Sequence, residues 1–468
     1  MKKKVMISAL ALMLALSGCG AKESTTTESA AMQTTEAKVP EAKETEAQAT
    51  GEEATETGAE QKPTEEPSGF EVSPMLDAAV MNAGNVSRLM KVMDRAEAGE
   101  DITIAYIGGS ITDGSNASPK ATECYAWKSY MWWKEAFPEA NISYVNAGIG
   151  ATDSYIGAHR LYEDVLKENP DVVVVEFSVN DTTMINKETY ESILRRCLKY
   201  ESEPAVISLM LCTEGGNSYS EVHAPVAFKY QVPIISYAHL FAVGELKWEQ
   251  VGDKDGVHPK NEGHKVIAEL LGGFFDGVNY TRTTGQKAFD TMDTADYEMP
   301  RGALTSSRYE DGRILYAEDF SVAEDAIDFG SVESLDDPGV PEGQVKYISL
   351  DSFEVADVRH ILKTNKHGFK TNEAGKIEFA VEATAIGIAY LQKNGDSEST
   401  GMADYDVYVD GEKKAVMLGS NKSWGDHLAY TPVVEGYSKE THVIELVPAE
   451  NNTGTDFEIL GICIADPM

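Results

Sequence analysis

Residues 107–114 read IGGSITDG and follow a short apolar run that contains Ile102, Ile104 and Tyr106. A strand that ends in two glycines and a serine can present a hydroxyl group at its carboxyl end, because glycine permits a tight turn and close backbone approach. Gly-Gly-Ser also occurs in ordinary strand-to-helix loops. The stretch therefore indicates a serine at a sheet edge, and its function depends on residues further along the chain.

Strand and helix patterns alternate on both sides of this serine. Strands are predicted at 102–107, 142–146, 171–177, 205–212 and 233–236. Helices are predicted from Asn85 and at 125–137, 155–168, 187–201, 221–230 and 261–275. The run 172–175 is apolar without alternation, which is typical of a strand covered on both faces. Strands separated by amphipathic helices indicate βαβ units, so we predict a three-layer α/β domain with a parallel sheet over residues 73–280.

The character of the chain changes after residue 280. Residues 281–304 are polar and are predicted to form a linker. The remainder, 305–468, shows short strand patterns at 313–317, 376–380, 386–391, 405–409, 414–417, 442–447 and 457–464. Asp410-Gly411 separates two of these strands and is a strong hairpin signal. Helix signals are nearly absent, which predicts an all-β sandwich.

Residues 1–19 are predicted to form a lipoprotein signal peptide. Three lysines at 2–4 precede an apolar stretch at 5–16 that is short for a membrane span. Residues 16–19, Leu-Ser-Gly-Cys, resemble a bacterial lipoprotein box, which implies cleavage and lipidation at Cys19. We expect an exported protein that is anchored by lipid to the outer face of the bacterial cell membrane. Residues 20–72 are rich in Thr, Glu, Ala and Ser and are predicted to form a disordered tether.

Charge and cysteine content restrict the partners. The formal net charge of −37 argues against nucleic acid and against electrostatic binding to anionic lipid, so membrane contact is expected through the lipid anchor alone. The cysteines show no CxxC or Cys/His ligand spacing, so a zinc site is not expected. We predict no metal and no cofactor.

Later segments supply what a hydrolytic serine needs: a base, a group that orients the base, and donors for the oxyanion. Asp255 and His258 lie three residues apart, and a turn there would bring both side chains to one face. Asn180 follows the predicted strand 171–177, so its amide could point into a cleft. Residues 146–151, NAGIGA, follow another strand and could donate backbone N–H groups. Glu176 is a candidate for structuring the loop around Asn180.

Together these segments resemble the SGNH (GDSL-type) hydrolases. The four blocks of that family appear in family order, at 107–112, 146–151, 179–181 and 255–258. Each block is loose by itself, but their order and their positions after successive predicted strands make the combination specific. The resemblance implies a flavodoxin-like fold and an acyl-transfer mechanism.

The resemblance also implies a role for each matching residue. Ser110 would be the nucleophile, His258 the general base and Asp255 its orienting acid. Asn180 would donate a side-chain hydrogen bond to the oxyanion. The backbone N–H groups of Ser110 and of the glycine block, at Ala151, would complete the oxyanion hole.

Two positions depart from the family pattern. Gly109 stands where the commonest form of the block has aspartate, a variation that leaves the serine in place. Ala151 stands where the family usually has glycine. A backbone donor survives the exchange to alanine if the local backbone angles suit alanine.

The β-domain bears on the substrate. Its short strands and turns, together with YDVYVDG at 405–411, resemble the accessory modules of acetyl-specific carbohydrate esterases. Four aromatic residues could stack on sugar rings: Tyr405, Tyr408, Trp424 and Tyr430. The sequence thus favours an esterase that removes small acyl groups, acetyl above all, from the hydroxyls of a poly- or oligosaccharide. The alternatives are a lipid esterase of the lysophospholipase type and a non-catalytic glycan-binding protein.

Overall fold

The computed structural model describes residues 70–322 and 345–468. The predicted signal peptide, Cys19 and the tether up to residue 69 lie outside the described residues. Within the described part of the chain, no helix combines the length and apolar character that a membrane crossing requires.

The N-terminal part of the described chain alternates helices and strands. Its strands are β1 Val80–Asn82, β2 Asp101–Gly108, β3 Asn141–Gly148, β4 Val172–Glu176, β5 Ala205–Met210 and β6 Ile234–Ser236. Its helices are α1 Pro74–Ala79, α2 Ser87–Glu97, α3 Ser110–Asp113, α4 Lys120–Glu123, α5 Tyr125–Ala136, α6 Ser154–Asp164, α7 Met184–Lys199, α8 Ser220–Lys229, α9 Tyr237–Val243, α10 Trp248–Val251 and α11 Asn261–Thr284. Every strand predicted in this region is present, with ends that differ by a few residues.

The strands form a six-stranded sheet in the order β1-β6-β5-β4-β2-β3. The pairs among β2 to β6 are parallel, as predicted, while β1 adds an antiparallel edge strand of three residues that is too short to show a pattern. All five residues of β4 are buried. Val172 and Val174 join one hydrophobic cluster and Val173 and Val175 another, so the sheet is covered on both faces. The domain therefore has the predicted three layers.

The register of the central strands sets up one edge of the sheet. Gly108, the last residue of β2, is level with Gly148 of β3 and with Glu176 of β4. Because these three strands are parallel and end together, the loops that follow them emerge side by side. Those loops contain the first three of the four sequence blocks.

The last helix of this domain is longer than predicted. The sequence pattern indicated a helix over 261–275 and a domain boundary at 280, but α11 continues to Thr284. Beyond it, Phe289 and Met292 are buried in the α/β core, and Asn85 donates to Asp293. The first part of the predicted linker 281–304 is thus packed on the α/β domain.

The C-terminal part is an all-β sandwich. Its strands are β7 Arg313–Leu315, β8 Phe320–Val322, β9 Val345–Leu350, β10 Glu354–Asp357, β11 His367–Thr371, β12 Ile377–Asn394, β13 Tyr405–Val409, β14 Glu412–Met417, β15 Ser420–Asn421, β16 His427–Pro448 and β17 Phe457–Ala465. The main path, β10-β11-β17-β12-β16-β13-β14, is antiparallel. Two predicted strands, 376–380 and 386–391, are parts of the long strand β12, which has a pairing irregularity between Ala383 and Ala385. The predicted Asp410-Gly411 hairpin joins β13 to β14, and both turn residues have positive φ.

Candidate active site

The turn after β2 carries Ser110. Gly108 ends the strand, and Ser110 opens the one-turn helix α3. A Cβ atom at Gly108 would lie 2.2 Å from the hydroxyl of Thr112 and 2.5 Å from the carbonyl oxygen of Glu176. A Cβ atom at Gly148 would lie 2.1 Å from the backbone nitrogen of Asp113. Glycine at both strand ends therefore lets α3 pack directly onto the sheet edge.

The predicted turn at Asp255 is present, and it brings the aspartate and the histidine together. Oδ1 of Asp255 accepts hydrogen bonds from the backbone N–H groups of Val257 and His258, both at 2.9 Å. Nδ1 of His258 lies 2.7 Å from Oδ2 of Asp255. Nε2 of His258 lies 2.8 Å from Oγ of Ser110. Asp255, His258 and Ser110 thus form one hydrogen-bonded line.

The electrostatics of Asp255 set the tautomer of the imidazole. Burial by itself would raise the pKa of Asp255, but the hydrogen bonds from the N–H groups of His258 and Val257 and from the imidazole outweigh it and lower the pKa to about 2. An ionised carboxylate only accepts hydrogen bonds. Nδ1 of His258 therefore carries a proton, and Nε2 of the neutral ring is left to accept the proton of Ser110.

Sequence reasoning missed Asn116. Its Nδ2 donates to Oδ2 of Asp255 at 2.8 Å and to Oδ2 of Asp253 at 3.0 Å. Asn116 has a φ of 63°, a left-handed conformation in which asparagine is enriched. No motif marks this residue, because the contact joins the turn after α3 to a segment more than a hundred residues away.

Asn180 lies beside the nucleophile turn. Its Nδ2 donates to the carbonyl oxygen of Thr152 at 2.8 Å. A Cβ atom at Gly109 would lie 2.8 Å from the same nitrogen, so the amide is packed against the residue that precedes Ser110. The structure therefore brings Asn180 next to the residue that precedes Ser110, and its role as an oxyanion donor stays a prediction.

Ala151 adopts a conformation that is uncommon for alanine. Its φ is 62°, in the left-handed region, which costs an L-residue about 1 kcal/mol. Its neighbour Gly150 approaches the side chain of Ser110, since a Cβ atom there would lie 4.0 Å from Cβ of Ser110. Within the described residues, the N–H groups of Gly150 and Ala151 have no hydrogen-bond partner. The role of Ala151 in an oxyanion hole stays a prediction.

Glu176 supports the nucleophile turn instead of the Asn180 loop. The side chain is buried, and it accepts a hydrogen bond from the hydroxyl of Thr112 at 3.0 Å. Burial raises the pKa of Glu176 to about 7, against the opposing effects of the Thr112 hydroxyl and of the backbone at Gly109. A carboxyl group that can change charge near neutral pH thus lies directly beneath the turn.

A second buried pair lies behind Asn180. Oδ2 of Asp181 is 2.8 Å from Nε2 of His223, and Oδ1 of Asp181 accepts the backbone N–H of Ser154. Burial raises the pKa of Asp181 and lowers that of His223. Both changes are due to burial, and both favour the uncharged form of the side chain.

The four aromatic residues predicted to stack on sugars have different environments. Tyr405 is fully buried and donates to the carbonyl oxygen of Gly375, so stacking on a sugar is excluded for it. Tyr430 packs against the α/β domain. Tyr408 is half-buried in β13. Trp424 is 73% exposed, and its ring is stacked on that of His427.

The fold and the site define a carboxylic ester hydrolase: a three-layer α/β domain in which a serine, a histidine and an aspartate are aligned at the carboxyl edge of the sheet. Residues 106–266 match the model of the GDSL-like lipase/acylhydrolase family. This confirms the family suggested by the four blocks. No curated protein matches the chain.

Two crystal structures resemble the chain over both domains. One is a two-domain esterase (CEX) active on acetylated mannans, with 27% identity and a TM-score of 0.68, which covers 84% of this chain and 99% of that one. The other is the same esterase co-crystallised with mannopentaose, with 27% identity and a TM-score of 0.67, covering 84% and 98%. The likeness includes the β-sandwich, since the covered share exceeds the length of the α/β domain.

Proposed function

We propose that this protein is an exported, lipid-anchored serine esterase that removes acetyl groups from the hydroxyls of a mannan-type polysaccharide. The observation that carries the proposal is the hydrogen-bonded line from Asp255 through His258 to Ser110. Such a line matches the arrangement by which unrelated hydrolases activate a serine. The likeness to an esterase active on acetylated mannans supports the substrate class.

The proposed reaction begins with attack of Oγ of Ser110 on the ester carbonyl carbon. The hydroxyl proton passes to Nε2 of His258, while Asp255 holds the ring and stabilises the imidazolium that forms. When the bond between the carbonyl carbon and the sugar oxygen breaks, the imidazolium returns the proton to that oxygen. The acetyl group is then bound to Ser110.

Water completes the cycle. His258 takes a proton from water as its oxygen attacks the acetyl carbon, and the bond to Oγ then breaks with return of the proton to Ser110. Each attack produces a negatively charged oxygen. We assign its stabilisation to Nδ2 of Asn180 and to the backbone N–H groups of Ser110 and Ala151, all within the cluster of loops at the sheet edge.

The proposal is tested by measuring acetate release from acetylated mannan and acetylated xylan, with Ser110→Ala as the control. We expect the wild type to release acetate from acetylated mannan and the Ser110→Ala variant to release none. Rapid hydrolysis of long-chain esters or lysophospholipid without glycan deacetylation would instead support a lipid esterase. Sugar binding without turnover by the wild type would support a glycan-binding protein.

The location is proposed from the lipoprotein box at 16–19. Lipid on Cys19 would hold the enzyme at the outer face of the membrane, with residues 20–72 as a spacer. Fractionation of cells that produce the full chain tests this, because Cys19→Ala is expected to move the protein out of the membrane fraction. A Cys19→Ala variant that stays with the membrane would contradict the anchor.

A further inference from the structure

The β-sandwich reaches into the active-site domain through one tyrosine. Tyr430 lies in β16, and its hydroxyl donates to Oδ2 of Asp153 at 2.5 Å. Its ring is stacked on that of Tyr155, with centroids 4.2 Å apart and planes 6° apart. Tyr430 is thereby held in one orientation by both a polar contact and an apolar one.

Asp153 connects Tyr430 to two helices of the α/β domain through hydrogen bonds. Its Oδ1 accepts the backbone N–H groups of Tyr155 at 3.0 Å and Ile156 at 3.3 Å, so Asp153 caps the N-terminus of α6. Its Oδ2 also accepts Nδ2 of Asn186 at 2.9 Å. The carboxylate is therefore the point at which Tyr430, α6 and α7 meet.

Asp153 is the last residue of the segment 149–153, which we call the oxyanion segment. The preceding residue, Thr152, accepts Nδ2 of Asn180 through its carbonyl oxygen. The following residue, Ser154, donates its backbone N–H to Asp181 at 2.7 Å. The backbone around Asp153 is thus tied on both sides to the Asn180-Asp181 block.

The start of the oxyanion segment belongs to a hydrophobic cluster that includes residues of the β-sandwich. Ile149, at its start, is buried in a hydrophobic cluster that includes Ala389 of β12 and Leu428 of β16. Ala151, with its left-handed backbone, lies between Ile149 and Asp153. A strained residue keeps such a conformation only where its surroundings determine it, and the residues at both ends of this segment pack with side chains of the second domain, in a hydrophobic cluster at Ile149 and in a hydrogen bond at Asp153.

We propose that Tyr430 is a positioning residue for ester hydrolysis, through which the β-sandwich holds the oxyanion segment and the amide of Asn180 in place. The inference rests on the proposed function of Asn180 and Ala151 as oxyanion donors. Tyr430 makes no contact with Ser110 or His258, and it acts on the site through Asp153 and Thr152. Turnover in the α/β domain then depends on the hydroxyl group of a residue in the other domain.

Tyr430→Phe tests the proposal, because it keeps the ring on Tyr155 and removes only the hydroxyl. We expect kcat on an aryl acetate to fall about tenfold with KM within about twofold, since small displacements of a positioned group reduce rate more than binding. The matched control is Tyr155→Phe. The hydroxyl of Tyr155 is buried and forms no hydrogen bond among the described residues, so its removal is expected to leave kcat unchanged.

A double variant separates positioning from general destabilisation. If Tyr430 acts through Asn180, Tyr430→Phe lowers kcat much less in an Asn180→Ala background than in the wild type. Equal losses in both backgrounds, or a wild-type kcat for Tyr430→Phe, would overturn the proposal while the esterase assignment stands. A wild type without esterase activity would overturn both.

Discussion

Nε2 of His258 lies 2.8 Å from Oγ of Ser110, although 148 residues separate the two in the chain. The contact exists because α3 opens directly at the end of β2 and the Asp255 turn precedes α11 at the same edge of the sheet. Replacement of Ser110 by alanine is therefore expected to abolish triad-dependent turnover of an aryl acetate. The melting temperature is expected to stay nearly unchanged, because one hydrogen bond at a half-buried site is lost. Unchanged turnover would refute the hydrolase mechanism.

Replacement of Asn180 by alanine removes the side-chain donor of the proposed oxyanion hole. We expect kcat to fall about 100- to 1000-fold, which is the usual cost of losing one such donor. The variant should stay folded, since the hydrogen bond to Thr152 contributes about 1 kcal/mol. Steady-state kinetics combined with thermal unfolding checks both statements. A folded variant with full activity would remove Asn180 from the mechanism.

Asn116→Gly tests the amide that holds Asp255. Glycine suits the left-handed backbone, so the substitution removes the hydrogen bonds to Asp255 and Asp253 without new backbone strain. We expect kcat to fall roughly 5- to 30-fold, which corresponds to a barrier raised by about 1–2 kcal/mol when Asp255 is less well oriented. The matched control is Asn169→Gly. Asn169 is exposed, also has a positive φ, and directly follows the short helical turn Leu166–Glu168 that comes after α6. Equal kinetics of the two variants would exclude a positioning role for Asn116.

Ala151→Gly tests whether the reaction needs only the backbone N–H group of this residue or also its methyl group. Glycine keeps the N–H group and relieves the left-handed strain, so activity is expected within about twofold of wild type. Stability is expected to change by less than about 1 kcal/mol, because relief of strain is offset by the greater freedom of glycine in the unfolded chain. Kinetics and urea unfolding measure the two effects. A large loss of kcat would mean that the methyl group itself matters.

Glu176 makes stability depend on pH. Its pKa is raised from 4.5 to about 7 in the folded state. The folded protein therefore keeps a proton that the unfolded chain has released, and the contribution to stability, complete below pH 4.5, is lost as the pH rises towards 7. Asp153, with a pKa raised to about 6, acts in the same direction. Each pKa unit corresponds to 1.36 kcal/mol, so the full contribution of Glu176 is about 3 kcal/mol.

The Glu176→Gln variant checks this sign. Glutamine keeps an acceptor for Thr112 or Gly109 but cannot ionise. The loss of unfolding free energy between pH 5 and pH 8 should be smaller in the variant than in the wild type by about 2.5 kcal/mol, the part of the contribution that is lost in this pH range. Urea unfolding at the two pH values measures it. Parallel slopes would show that Glu176 is not the group that titrates.

Much of the site was predictable because its signals are local. Asp255 and His258 are three residues apart, and a single turn decides whether their side chains meet. Ser110 and Asn180 each follow a strand whose apolar run is visible in the sequence, and parallel strands end at one edge. The hairpin at Asp410-Gly411 is equally local, since two residues with positive φ suffice to form it.

Other features needed contacts between distant parts of the chain. Asn116 carries no motif, because its partner Asp255 is 139 residues away. Glu176 was expected beside the Asn180 loop, but the register of β2 against β4 places it beneath Gly109 and Thr112. Tyr430 was a candidate for stacking on sugar. In the structure its ring is stacked on that of Tyr155, because β16 packs against α6 at this point.

By itself, the sequence determined the resemblance to the GDSL-type hydrolases, the order of the α/β and β domains and the prediction of Ser110, His258 and Asp255 as site residues, because strand runs and short turns depend on neighbouring residues. The tertiary structure alone decided which side chains surround them, because contacts such as Asn116 with Asp255 or Tyr430 with Asp153 arise from strand register and domain packing. Contacts between distant residues leave no repeating pattern in the sequence, so they cannot be predicted from neighbouring residues.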